Sequence, residues 1–152
     1  MNHAALVKRA ARWLELSQGC GFVITEAATA ATGTFESPDA IGWAGPGRSI
    51  LVECKVSRAD FLADAQKPHR IHPTMGMGRE RYYLTLPGLL KPSDLPERWG
   101  LLEVGPKNTR VRVKAHDQAF YILAEQRLLY SALVQSKRTL ADLHRAWRRM
   151  GR

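Results

Sequence analysis

Gly45-Pro46-Gly47 constrains this chain more than any other feature. It lies between two strand-like runs, Asp39–Ala44 and Ser49–Val56. A Gly-Pro-Gly turn between such runs reads as a β-hairpin. If the hairpin folds about Pro46, the numbers of facing residues sum to 92. Ile41 then faces Leu51, Trp43 faces Ser49, and Asp39 faces Glu53. Facing residues in an antiparallel pair point to the same side, with Cβ atoms about 4.5–5.5 Å apart. Side chains alternate along a strand, so Lys55 shares the face of Glu53, while Ile50, Val52 and Cys54 turn toward a core.

This register predicts two carboxylates and one ammonium at one end of a hairpin. Directly opposed carboxylates repel, and something must offset the repulsion. A divalent cation with oxygen ligands does so, since Mg²⁺ is commonly held by one or two carboxylates plus substrate phosphate. Lys55 would then sit beside the reacting phosphate, where it can stabilise developing charge or orient water. Taken alone, Glu-x-Lys on a strand is usually a solvated face. The neighbouring Pro38-Asp39, the turn and the apolar alternation favour the functional reading.

The remaining pattern fills out an α/β (α+β) chain. Ala4 to Ser17 has the period of an amphipathic helix, ended by Gly19 and Gly21. Phe22–Glu26 reads as a strand, and Ala27–Thr34 as a loop. Residues 58–67 read as a helix with Phe61, Leu62 and Ala65 on one side and Asp60, Asp64 and Lys67 on the other; Pro68 closes it. His69–Glu80 reads as a loop, made flexible by Gly76 and Gly78. Strands follow at Arg81–Leu86, Trp99–Val104 and Thr109–Ala115, the last an exposed edge, with a single turn near 93–98. From Asp117 to about Met150 the pattern is helical, broken near Ser136. A mixed central sheet flanked by helices, with a long C-terminal helix, is the architecture expected.

With 152 residues the chain is expected to be one domain, its core over about 4–115 and a basic helical segment over about 117–150. No run of 18 uncharged apolar residues occurs, which excludes a transmembrane helix. Charge interrupts the N-terminus at Lys8-Arg9 before a signal-peptide core can form, so a soluble cytoplasmic protein is expected. The two cysteines, Cys20 and Cys54, are too few for a disulfide scaffold. Lys and Arg number 23 against 14 Asp and Glu, a net charge of +9. That excess favours a polyanionic partner.

Pro38-Asp39, thirteen intervening residues and Glu53-Cys54-Lys55 together resemble the PD-(D/E)XK nuclease superfamily. The helix-strand-strand-strand-helix-strand order over residues 4–86 resembles its restriction-endonuclease-like αβββαβ core. The run Glu53-Cys54-Lys55-Val56-Ser57-Arg58-Ala59-Asp60-Phe61-Leu62-Ala63-Asp64 resembles the MmcB-type DNA-repair proteins. Tyr82–Pro87 and Trp99–Val104 are also similar to that family's later strands. The resemblance implies a Mg²⁺- or Mn²⁺-dependent phosphodiesterase. Asp39 and Glu53 would be metal ligands and Lys55 the catalytic lysine. Glu26, or second Glu15, would supply the upstream acid. Gln66 could play the part of the glutamine that some members carry on the following helix.

Nucleic-acid backbone contacts are expected from Arg58, Gln66, Lys67, Arg70, Arg79 and Arg81. Residues 137–152 add six Lys and Arg against Asp142 alone. Leu140, Leu143 and Trp147 recur there at helical spacing, so Arg145, Arg148 and Arg149 lie on a basic amphipathic helix, either a solubilising face or a phosphate-binding one. His69 and His72, without cysteine or a nearby carboxylate, do not make a zinc pattern. The expectation is a DNA nuclease in repair, phage or mobile-element metabolism. Its alternative is a non-catalytic DNA-binding module acting through a partner protein. Neither motif nor charge reads sugar type, so RNA stays open as a substrate.

Overall fold

The computed structural model describes residues 1–26, 36–136 and 140–151. The loop expected over 27–34 lies outside the described residues. The first helix, α1 (His3–Leu16), is capped by Asn2, whose side chain accepts from the Ala5 amide at 2.9 Å. Its buried stripe is Leu6, Val7, Ala10, Trp13 and Leu14. Strands β1 (Phe22–Thr25), β2 (Ala40–Trp43) and β3 (Ser49–Cys54) follow as an antiparallel meander. The register about Pro46 is the expected one: Ile41 pairs with Leu51 and Trp43 with Ser49. Gly45 and Gly47 both take positive φ, and Ala44 donates to the Arg48 carbonyl to close the turn.

Helices α2 (Arg58–Asp64) and α3 (Pro68–Ile71) carry the chain to β4 (Glu80–Thr85), which pairs parallel with β3. A parallel pair needs a crossover, and these short helices supply it. Strand β5 (Gly100–Val104) adds parallel to β4, and β6 (Thr109–Val113) adds antiparallel at the edge. The sheet order is β1-β2-β3-β4-β5-β6. Helices α4 (Ile122–Gln135) and α5 (Leu140–Met150) end the described chain, separated near Ser136 as the pattern predicts.

The sheet has a core on each face. Ala40, Ile50, Val52, Cys54, Tyr82, Leu84 and Leu102 pack against α1. Ile41, Leu51, Tyr83 and Leu101 pack against Phe61 of α2, Met77, Trp99, and Ala124 and Leu128 of α4. Every residue of β3 and β4 is buried, as expected for central strands covered on both sides. Cys20 and Cys54 are both buried and free.

Three expectations change in the crossover. Helix α2 ends at Asp64, and Pro68 opens α3 rather than closing α2, because a first-turn proline loses no helical hydrogen bond. The 69–80 segment is partly helical and well packed. Met77 is fully buried, and Gly78 at φ +90 brings its Cα so close that a Cβ would lie 2.6 Å from the Leu51 Cβ. The buried side of α2 is Phe61 with Asp64 rather than Phe61 with Leu62 and Ala65. Leu62 is 57% exposed and Asp64 is buried.

Candidate functional site

The Glu53–Lys55 face of the hairpin holds a buried charge cluster. Lys55 Nζ lies 3.5 Å from Glu53 Oε2 and 3.3 Å from Asp64 Oδ1. Arg70 Nε meets Asp64 Oδ2 at 2.8 Å, its Nη1 meets Glu36 Oε1 at 3.0 Å, and its Nη2 is 3.4 Å from Glu53 Oε1. Lys67 reaches Asp64 Oδ1 at 2.8 Å from the surface. The Tyr83 hydroxyl donates to Asp64 Oδ2 at 2.7 Å, and the Met77 amide donates to Glu36 Oε2 at 2.7 Å. Three carboxylates, Glu36, Glu53 and Asp64, thus meet three cations, Lys55, Lys67 and Arg70. The Arg70 guanidinium also lies 4.6 Å from the Trp99 ring centroid, and Trp99 stacks on Tyr83.

Local sequence explains how the residues arrive. Alternation along β3 brings Glu53 and Lys55 to one face. Asp64 follows Phe61 by three residues, so a helical α2 buries both on the same side. Arg70 comes from α3, and Tyr83 from β4, where it pairs with Glu53 across the parallel ladder.

Electrostatics differ across the cluster. Burial pushes the Glu53 carboxyl up to about 7; the Arg70 and Lys55 charges oppose this, while nearby Asp39 adds to it. For Asp64 burial acts in the same direction, but Arg70, Lys55 and hydrogen bonds from Lys67 and Tyr83 outweigh it and hold the carboxyl well below its usual range. His69 is pushed down to about 4, first by burial and then by the Arg70 charge.

These shifts carry opposite stability signs. Folded Glu53 holds a proton that the unfolded chain releases between its ordinary 4.5 and about 7, so its contribution falls as pH rises through that window. Folded His69 sheds a proton that the unfolded chain holds between about 4 and 6.5, so its contribution is lost as pH falls. Glu53→Gln isolates the first effect. From pH 4.5 to 7 the variant should gain on the wild type by about 3 kcal/mol, at about 1.4 kcal/mol per pK unit. Urea unfolding of both proteins across that range measures the gap. A gap independent of pH would show that Glu53 titrates normally.

Asp39 occupies a different position from Glu53 and Lys55. It precedes β2 at the strand end, and its Oδ2 accepts the Cys54 amide at 2.8 Å. Its Oδ1 lies 3.3 Å from His3 Nε2 of α1. Its charge still reaches Glu53. Two hard carboxylates near one strand end suit a small divalent cation in donor chemistry. Among the described residues, no group of three or more His, Cys, Asp or Glu is placed to hold a metal ion.

Glu26 follows β1 with φ +50, its amide bonded to the Asp39 carbonyl, which leaves it adjacent to this strand end. Glu15 lies at the other end of α1 from His3. Arg58 is exposed and paired with Asp94 at 3.0 Å; Gln66 is exposed. Arg79 is half-exposed and paired with Asp117 at 3.0 Å. Arg70 and Arg81 are interior: the Arg70 side chain is 4% exposed and Arg81 is fully buried. Neither forms a surface track for a nucleic-acid backbone, because Arg70 is drawn to buried carboxylates and Arg81 to main-chain carbonyls. Arg145, bonded to Asp142, and Arg148 and Arg149 are exposed on α5.

Sequence reasoning assigns no site role to Asp64, Glu36 or Tyr83. The i, i+3 spacing of Phe61 and Asp64 was the available signal for Asp64. Glu36 and Tyr83 carried none, since their contacts join distant segments.

No family model matches the chain, and no curated protein matches it. Among solved structures it is similar to a protein of unknown function from Silicibacter pomeroyi, with 23% identity and a TM-score of 0.64. That likeness covers 91% of this chain and 88% of the other. It establishes that this mixed α+β architecture, a six-stranded sheet flanked by helices, is shared with another protein.

Proposed function

We propose that the protein is a metal-dependent nuclease that hydrolyses DNA phosphodiester bonds. The observation carrying this reading is the strand end where the Asp39 carboxylate accepts the Cys54 amide, between Glu53 and Lys55, with Lys55 Nζ beside Glu53. Asp39 and Glu53 would hold Mg²⁺ or Mn²⁺, with Glu26 as the candidate upstream acid. The ion would polarise a phosphodiester oxygen and lower the pKa of water. Lys55 supplies a cation at the site, fixed by Glu53 and Asp64, and its charge can stabilise the developing phosphorane-like oxygens. The excess of basic residues suits a polyanion. Repair, phage or mobile-element DNA metabolism is the setting this chemistry fits.

A second reading is a DNA-binding module that acts through a partner protein. It is favoured by the three-for-three charge balance, in which Glu53 is already held between Lys55 and Arg70. One experiment separates the two. Purified protein is incubated with single-stranded, duplex and branched DNA and with RNA, in Mg²⁺, Mn²⁺ or EDTA. Metal-dependent cleavage of DNA supports the nuclease; DNA binding with intact substrate in every metal supports the module.

Helix α5 offers a separate check on the polyanion. Each duplex phosphate neutralised adds about −0.9 to the slope of log affinity against log salt. Replacing Arg145, Arg148 and Arg149 together with Gln should weaken DNA binding and flatten that slope by roughly 2–3 units. Unaltered affinity and slope would make α5 a solvated face.

A further inference from the structure

A cavity of about 210 Å³ lies beside the charge cluster, far larger than the roughly 10–15 Å³ that admits one water. His69, Arg70, Arg81 and Gln118 line it, with Tyr83 and Trp99 as aromatic walls. Its one carboxylate residue, Glu97, is exposed. Gln118 also lines a wider groove with Arg79, Arg98 and Asp117, so it stands between the cavity and that groove.

Two observations point to room for a further acceptor here. First, Arg81 is fully buried, yet its hydrogen bonds go to the carbonyls of Gly78, Pro73, Gly76 and Ala119. Among the described residues no carboxylate forms an ion pair with it. The charges of Glu36 and Glu125 reach it only at a distance, and a buried guanidinium whose direct partners are neutral carbonyls is costly. Second, the buried side-chain polar atoms without a hydrogen bond among the described residues are His69 Nδ1, Arg70 Nη2 and Gln118 Nε2. All three belong to residues that line this cavity. Arg70 Nη2 faces Glu53 Oε1 at 3.4 Å without a hydrogen bond. Buried polar groups are normally satisfied, so three in one place call for a further partner.

We propose that this cavity binds a phosphate group, taking its oxygens on Arg81, Arg70 and Gln118. A doubly charged oxyanion offers several acceptor oxygens, and planar guanidinium groups match it well. The group can come from free phosphate or from the end of a nucleic-acid strand. The strand-end source rests on the nuclease reading; the free-phosphate source does not.

The test uses the whole protein in EDTA and reads binding, so a failure of the proposed hydrolysis leaves it standing. Thermal unfolding is followed in inorganic phosphate and in chloride of matched ionic strength. Phosphate at about a hundred times its Kd should raise the wild-type midpoint by on the order of 5–10 °C. Gln118→Glu places a carboxylate at the half-buried wall and should abolish the rise while unfolding near the wild-type midpoint in chloride. Arg81→Gln should also abolish it; if that variant does not fold, Gln118→Glu decides. No rise in the wild type, or an equal rise in Gln118→Glu, overturns the proposal. Oligonucleotides with a 5′-phosphate, a 3′-phosphate or hydroxyl ends then assign the source. At least tenfold tighter binding of one phosphorylated strand, lost in Gln118→Glu, assigns the strand end. Equal binding of all three, with the midpoint rise retained, assigns free phosphate.

Discussion

Asp64→Ala should destabilise the protein by about 3–5 kcal/mol, lowering the thermal midpoint by roughly 6–20 °C. Asp64 is the acceptor that Lys55, Lys67, Arg70 and Tyr83 share. Removing it leaves three cations facing two carboxylates, and Lys55 and Arg70 have side chains at most 5% exposed. An uncompensated buried charge costs several kcal/mol, much more than the pair contributed beyond an apolar substitute. Leu62→Ala, on the exposed face of α2, should change stability by no more than about 0.5 kcal/mol. Chemical denaturation of both variants is the measurement. Comparable losses would mean that Asp64 is not the hub of the cluster and that α2 packs through Leu62.

On the proposed nuclease reading, Lys55→Met should reduce hydrolysis of DNA by on the order of 10²–10³-fold in kcat, equivalent to about 2.7–4 kcal/mol of transition-state stabilisation. Methionine keeps the unbranched apolar stem of the side chain and ends where the ammonium would begin, so the change is mainly the loss of one charge. Arg70 still faces both Glu53 and Asp64 in this variant, which limits the structural damage. Rates are compared per folded protein, with the fraction folded taken from unfolding curves. Asp39→Asn should reduce turnover and also weaken Mn²⁺ binding, read by calorimetry in the absence of substrate. Lys55→Met should leave Mn²⁺ binding in place, because an ammonium is not a ligand. Undiminished cleavage in both variants would place the hydrolytic activity elsewhere or in a contaminant.

The hairpin was legible because its determinants are local. A Gly-Pro-Gly turn and period-two alternation specify register within 15 residues, and a one-residue slip would turn Leu51 and Ile50 to the wrong faces. The meeting of Glu53 with Lys55 follows from the same alternation. The helix α1, the edge strand β6 and the break near Ser136 were legible for similar reasons.

Tertiary structure alone decided the charge cluster. A sequence shows that Asp64 and Arg70 are charged, and charge ordinarily predicts exposure. Whether such a group is buried depends on counter-charges brought from elsewhere: Glu36 precedes β2, Arg70 lies in the crossover, and Tyr83 stands on β4. The parallel pairing of β3 with β4 makes those segments neighbours, and no local pattern encodes it. The same holds for Arg81. It reads as the basic end of a glycine-containing loop, yet the loop folds over it and supplies carbonyls. Composition determined that this chain carries a large positive excess; packing decided which of those charges face solvent and which are enclosed, because burial is a property of the whole fold.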